Sequence, residues 1–140
     1  MLNRITLMGR LVRDPLMREA KTGQAAFFTV ACERDCNPDP ATGRRPVDFI
    51  DCAAWGGTAG FVGRNFARGD MIIVDGRLRL NDYTDENGAR RRAAQVTAER
   101  VCFGSRRVAA PAKLWEEPSF DADYDFDERD DDEDDGEIPF

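Results

Sequence analysis

Phe49 and Trp55 stand at the third and ninth positions of the run Val-Asp-Phe-Ile-Asp-Cys-Ala-Ala-Trp, residues 47–55. As a strand, this run puts both rings on one face with Asp51 and Ala53. Its period of two puts Ile50, Cys52 and Ala54 on the other face. The second face is the apolar one, so the ring-bearing face is the candidate outer surface. Tyr83 follows Arg77 and Arg79 on a later hairpin. Arginines recur nearby at Arg4, Arg10, Arg44, Arg45, Arg90, Arg91 and Arg92. Outward rings interleaved with guanidinium groups have the chemistry that holds a single-stranded nucleic acid. A flat ring stacks on a base at roughly 1–3 kcal/mol whatever the base, and the cations follow the phosphates. The competing reading is that Phe49 and Trp55 pack beneath a loop or in a subunit contact, since exposed aromatics mark interfaces of many kinds.

The rest of the composition removes most catalytic alternatives. The 140 residues include no histidine, two serines (Ser105 and Ser119) and two lysines (Lys21 and Lys113). A Ser-His-Asp triad, a Cys-His pair and a histidine metal site are excluded, and no phosphate-loop motif occurs. Asp48 and Asp51 are close in sequence but opposite in strand parity. They cannot share a metal as a nuclease would require. Cys32, Cys36, Cys52 and Cys102 lack paired metal-ligand spacing and read as buried thiols in a reducing compartment. No leader precedes the first strand pattern and no apolar run reaches 18 residues, so the expected location is cytoplasmic.

Charge divides the chain. Residues 1–107 carry a net +5 and residues 108–140 a net −12. The basic part suits a polyanionic partner, or, with no nucleic-acid role at all, an adaptor that recruits proteins through its tail. RNA is not distinguished from DNA by stacking alone. The acidic part has no hydrophobic period and three prolines, and is expected to be disordered. After the acids Asp134, Asp135 and Glu137 it closes on Ile138, Pro139 and Phe140, an apolar tip suited to capture in a partner's pocket.

The elements that would position the rings follow from local pattern. Residues 2–12 alternate as a first strand, with Ile5, Leu7 and Leu11 on one side and Gly9 suggesting a bulge or bend. Residues 25–34 form a second strand with Phe28, Val30 and Cys32 on one face. A turn-rich loop at 37–46 precedes the third strand, 47–55. Thr58 is expected to cap a helix running to Arg68 and ended by Gly69, with Phe61, Val62 and Phe66 facing the core. Residues 71–80 form a fourth strand with Ile72, Val74, Leu78 and Leu80 inward. A hairpin over residues 81–91 turns at Asn87-Gly88 and leads into a fifth strand, 91–103. Strand, strand, strand, helix, strand, strand is the order of the OB-fold, a five-stranded Greek-key barrel. The expected organisation is an all-β OB domain at 1–107, a linker at 108–129 and a partner-binding tip at 130–140.

These residues resemble the bacterial single-stranded DNA-binding protein family. The resemblance rests on the opening Leu2-Asn3-Arg4-Ile5-Thr6-Leu7-Met8-Gly9-Arg10-Leu11 and on Asp14-Pro15. It continues through Phe28-Thr29-Val30-Ala31, Asp48-Phe49-Ile50-Asp51-Cys52, Trp55, Gly69-Asp70, Asp75-Gly76-Arg77-Leu78 and the acidic Ile-Pro-Phe end. It implies a homotetramer of OB domains that wraps and protects single-stranded DNA of any sequence, with no catalysis, metal or cofactor. It also implies association with the nucleoid and replication fork, and a tip that recruits replication, recombination and repair enzymes. By position, Phe49, Trp55 and Tyr83 match the family's base-stacking aromatics. The chain departs from the family at Cys36, where another stacking aromatic is usual, and in a short linker without the usual Gly/Gln-rich stretch.

Overall fold

Alternating apolar residues build the strands, and two close backbone approaches let them close on themselves. The computed structural model describes residues 1–21 and 23–105. In chain order these form β1 (Ile5–Leu11), β2 (Leu16–Ala20), β3 (Gly23–Glu33), β4 (Val47–Trp55), α1 (Gly56–Asn65), β5 (Met71–Thr84) and β6 (Arg90–Phe103). The strands hydrogen-bond in the order β1-β5-β6-β4-β3-β2, and β1 also pairs with β3. β1, β5, β6, β4 and β3 thereby form a closed five-stranded barrel, the OB-fold, in which only β4 and β6 run parallel. The expected linker, residues 108–129, and the tip, residues 130–140, lie outside the described residues.

The barrel interior takes the apolar parity of each strand. Leu11, Phe28, Val30, Cys52, Ala54, Ile72, Val74, Val96 and Ala98 are buried there, and Ala59, Val62 and Phe66 join them from α1 and the residue after it. Ile5, Leu7, Ile50 and Phe61 are half-buried against this cluster. The inward sides expected of β1, β3 and β4 and the apolar stripe of α1 are all found here.

Four features differ from expectation. First, β2 was not anticipated. Leu16–Ala20 pairs with Gly23–Phe27 of β3 as an edge hairpin, and its short, mostly exposed sequence carries no clear alternation. Second, Gly9 does not mark a bulge. β1 keeps unbroken register with β5 through Gly9, and a Cβ there would lie 2.3 Å from the Ala31 carbonyl oxygen. The glycine lets β1 cross close over β3 and seal the barrel. Third, α1 starts at Gly56 and ends at Asn65. Trp55 occupies the N-cap position without a side-chain cap, and the Thr58 hydroxyl reaches instead toward the Glu99 carbonyl at 3.5 Å. Phe66 leaves helical geometry, at φ −121° and ψ 140°, and stacks its ring on Phe103 with centroids 4.8 Å apart. Arg68 is beyond the helix, its backbone N–H donating to Asp14 Oδ1 at 2.8 Å.

Fourth, Leu78 and Leu80 do not face into the core. β5 and β6 run on past the barrel as a two-stranded arm, paired as far as Thr84 and Arg90, and both leucines are exposed on it. They keep the inward parity of Ile72 and Val74, but the arm has no layer behind it to cover them. Asn3 ties the arm's base to β1. Its side-chain amide donates to the Leu78 carbonyl at 2.8 Å and accepts from the Leu78 N–H at 3.1 Å. At the arm's end Gly88 supplies the positive φ (77°) expected of the turn. The Asp85 carboxylate accepts backbone N–H groups of Asn87 and Ala89 at 3.0 and 2.9 Å.

The thiols are less uniformly buried than expected. Cys52 is buried, Cys32 and Cys102 are half-buried, and Cys36 is exposed in the loop between β3 and β4. Burial chiefly, then the nearby Asp51 carboxylate and Cys32, push the Cys52 thiol up to about 12. Thiolate is the reactive form. In the native protein at neutral pH, a maleimide should therefore label Cys36 rapidly and Cys52 only after denaturation, as mass spectrometry of the peptides would report. Native labelling of Cys52 at a rate comparable to Cys36 would contradict the core described here.

Candidate nucleic-acid interface

Register carries the outward parity of β4 across the neighbouring strands. Side chains of paired residues emerge on the same side of a sheet. One row therefore reads Arg18, Ala25, Trp55 across β2, β3 and β4. The next reads Leu16, Phe27, Ala53, Thr97, Arg77 and reaches β5. A third reads Thr29, Asp51, Gln95, Arg79. Phe49 lies opposite Ala31, and Tyr83 opposite Arg91 on the arm. A single continuous face of the molecule thus presents Trp55, Phe27, Phe49 and Tyr83 together with Arg10, Arg18, Arg77, Arg79 and Arg91.

The rings are accessible to different degrees. Trp55 is 41% exposed and Tyr83 37% exposed, whereas Phe49 and Phe27 are half-buried. The edge of Phe27 meets Trp55 at right angles, with centroids 5.9 Å apart and an interplanar angle of 86°. Such edge-to-face contacts hold a ring in place at about 0.5–1.5 kcal/mol beyond the area they bury. Phe27 therefore positions Trp55 and offers part of its own surface. Phe27 and Arg18 were not among the residues expected to act. Of the Phe27-Phe28 doublet one ring must point out, and that parity was the available signal. Arg18 could not be placed without β2.

The expected phosphate-binding arginines separate into groups. Arg77, Arg79 and Arg91 stand on the ring-bearing face. Arg90 and Arg92 pair with Thr84 and Asp82 on the opposite side of the arm. Arg44 and Arg45 are exposed in the loop between β3 and β4. Arg4 stands just before β1 and no pairing carries it into a row that holds a ring, whereas Arg10 on β1 lies opposite Ala31, the partner of Phe49, and so joins the Phe49 row. Arg4 is ion-paired with Asp75, and Arg10 donates to the Gly69 carbonyl at 3.0 Å. The tip residues Asp134, Asp135, Glu137, Ile138, Pro139 and Phe140 lie outside the described residues.

Carboxylates order this surface. Arg77 meets Glu99 at 2.6 Å, Arg91 meets Asp85 at 2.9 Å and Arg92 meets Asp82 at 2.8 Å. In the loop between β3 and β4, Arg34 holds Asp48 through both oxygens at 2.7–3.0 Å. Asp51 accepts from the Thr29 hydroxyl at 2.8 Å, so the two acids have separate partners on separate faces, as parity requires. The hydrogen bond from Arg92, with that arginine's charge, holds Asp82 below its ordinary value of 3.8. Asp85 is lowered likewise by Arg91 and by the turn's N–H groups. A lowered folded-state pKa stabilises above the ordinary carboxylate range and is lost as pH falls through it. Exchange protection of the arm's cross-strand amides should thus be level from pH 7 to 5. It should decline below about pH 4, ahead of the barrel's amides. Arm and barrel losing protection together would refute this ordering.

The comparisons with known proteins decide the lineage of this surface. The model of the single-strand binding protein family matches residues 2–103. The chain belongs to that family. It is 34% identical over 110 residues to the single-stranded DNA-binding protein of Fusobacterium nucleatum, covering 78% of this chain and 71% of that one. It is 39% identical over 104 residues to single-stranded DNA-binding protein 2 of Listeria monocytogenes, covering 74% and 64% respectively. It is equally similar to single-stranded DNA-binding protein A of Bacillus subtilis, covering 74% of this chain and 59% of that one. The chain thus spans about three-fifths to seven-tenths of the length of these relatives. The matched residues end at β6, so the family membership covers the barrel and its arm.

Proposed function

We propose that this member of the single-strand binding protein family binds single-stranded DNA without sequence requirement, keeps it unpaired and protects it. The observation that carries the reading is the continuous face on which four aromatic rings lie among five arginines. Bases stack on Trp55, Phe49 and Tyr83 beside Phe27, and Arg18, Arg77, Arg79 and Arg91 neutralise the phosphates that follow. Arg44, Arg45, Arg90 and Arg92, on the adjoining loop and arm, extend the basic track. The reading is one of binding, with no reaction catalysed. Its relatives are named for binding single-stranded DNA.

In the cell the barrel works as a homotetramer at the nucleoid and replication fork, and residues 130–140 recruit replication, recombination and repair enzymes. Exposed Met8 and half-buried Ile73, opposite each other on β1 and β5, make an outward apolar pair that suits association between copies. Among the described residues no helix is long and apolar enough to cross a membrane.

The test is a tryptophan-fluorescence titration with dT oligomers of increasing length at low and high salt, in a Trp115→Phe background. Quenching of Trp55 that grows with oligomer length and weakens with salt is expected, because phosphate contacts release counterions. No quenching and no binding would sink the proposal. The same assay checks the tail. Its net −12 competes with phosphate for the +5 remainder, so deleting residues 130–140 should tighten DNA binding at low salt and leave it unchanged at high salt. Equal low-salt affinity with and without the segment would contradict that competition.

A further inference from the structure

An acid sits where a polyanion is to be held. Asp51 lies between Phe49 and Trp55 on the outward parity of β4, in the row that runs from Thr29 through Gln95 to Arg79. It is half-buried, and it is fixed, because Oδ1 accepts the hydroxyl of Thr29, itself only 6% exposed, at 2.8 Å. A carboxylate held here repels phosphate. The sugar-phosphate track must pass along the arginines, and what approaches Asp51 is the edge of a base stacked on the neighbouring rings.

We infer that Asp51 gives this face a base preference, favouring cytosine over thymine at the position it touches. The inference rests on the proposed single-stranded DNA binding. A carboxylate can only accept hydrogen bonds. Cytosine offers its N4 amino group, which is the contact an acidic side chain makes with that base. Thymine offers one N–H between two carbonyl oxygens, and those oxygens face the carboxylate unfavourably. Adenine and guanine also present amino groups, but they differ from pyrimidines in stacking. The dC/dT pair isolates the edge because ring size and self-stacking are similar. Gln95, next in the row, has both a donor and an acceptor and adds no bias of fixed sign.

The experiment is a competition titration of dC and dT oligomers of one length against the full chain and its Asp51→Asn and Asp51→Ala variants. The readout is the ratio of the dC and dT affinities. Both substitutions remove a negative charge and strengthen binding to both oligomers, and the ratio cancels that effect. Asp51→Asn keeps an oxygen for Thr29 and the same shape, so it guards against a variant that fails to fold. A hydrogen bond to a charged group is worth about 1.5 kcal/mol or more, so the dC/dT ratio should fall about tenfold in both variants. An unchanged ratio, with binding intact, overturns the role of Asp51 and leaves the proposed function standing. Failure of the unaltered chain to bind either oligomer overturns both.

Discussion

Trp55→Ala should weaken binding of a short dT oligomer by about 5- to 150-fold, the equivalent of the roughly 1–3 kcal/mol that one stacked base contributes. The ring is 41% exposed, so a base can reach it, and it is edge-braced by Phe27. Trp55 also occupies the N-cap position of α1, but its side chain makes no capping bond. Truncation therefore removes the stacking platform without removing a helix cap, and circular dichroism should show the fold retained. Trp55→Phe keeps a π-face and should recover most of the affinity. The salt dependence gives an independent check. Trp55 touches no phosphate in this account, so the slope of log affinity against log salt should not change in Trp55→Ala. Arg77→Ala or Arg79→Ala should reduce that slope by about 0.7 each, the value for one phosphate of a single strand. Affinity unchanged by Trp55→Ala, in a folded protein, would mean the ring belongs to another interface.

Much of this face was legible because it depends on parity, and parity is written residue by residue. Ile50, Cys52 and Ala54 turn inward, so Phe49 and Trp55 must turn outward, and the barrel order follows from the succession of alternating runs. What was hidden depends on pairing partners. Arg18 joins Trp55 only through the β2–β3 hairpin, and a five-residue edge strand with four exposed residues has no burial pattern to announce it. Leu78 and Leu80 keep their parity faithfully, yet parity says nothing about where a sheet outruns its cover. The break in the β5–β6 register was equally invisible. Asp75 pairs with Arg100 and Gly76 with Ala98, leaving Glu99 as an extra residue in β6. Inward positions therefore change from odd to even along β6, from Val101 to Ala98 and Val96. No single alternation fits that strand.

That irregularity locates the second large effect. Gly76→Ala should destabilise the domain severely, because a Cβ at this position would stand 2.0 Å from the Thr97 carbonyl oxygen and 2.9 Å from the Thr97 carbonyl carbon. Both are backbone atoms, so no side chain can rotate away and the two strands must separate. Overpacking of this kind costs about 1–3 kcal/mol or more. At the upper end, a domain of about 100 residues should lose more than about 10 °C in Tm. The site is also the junction of barrel and arm, where Arg77, Arg79 and Tyr83 are aimed by the pairing beyond it. Protein that remains folded at low temperature should therefore bind dT oligomers more weakly than the parent, with the deficit lying in the arm. Exchange protection should be lost first at Arg77 and its partner Thr97. Gly57→Ala is the control. It lies in α1 with nothing within 4 Å of the added carbon. Helix propensity alone favours that change by up to about 1 kcal/mol. Thermal unfolding of the two variants side by side separates a general cost of replacing glycine from the local collision. If Gly76→Ala melts with the parent, β5 and β6 do not approach as closely at the bulge as described, and the aim of the arm must come from Asn3 and the arm's ion pairs instead.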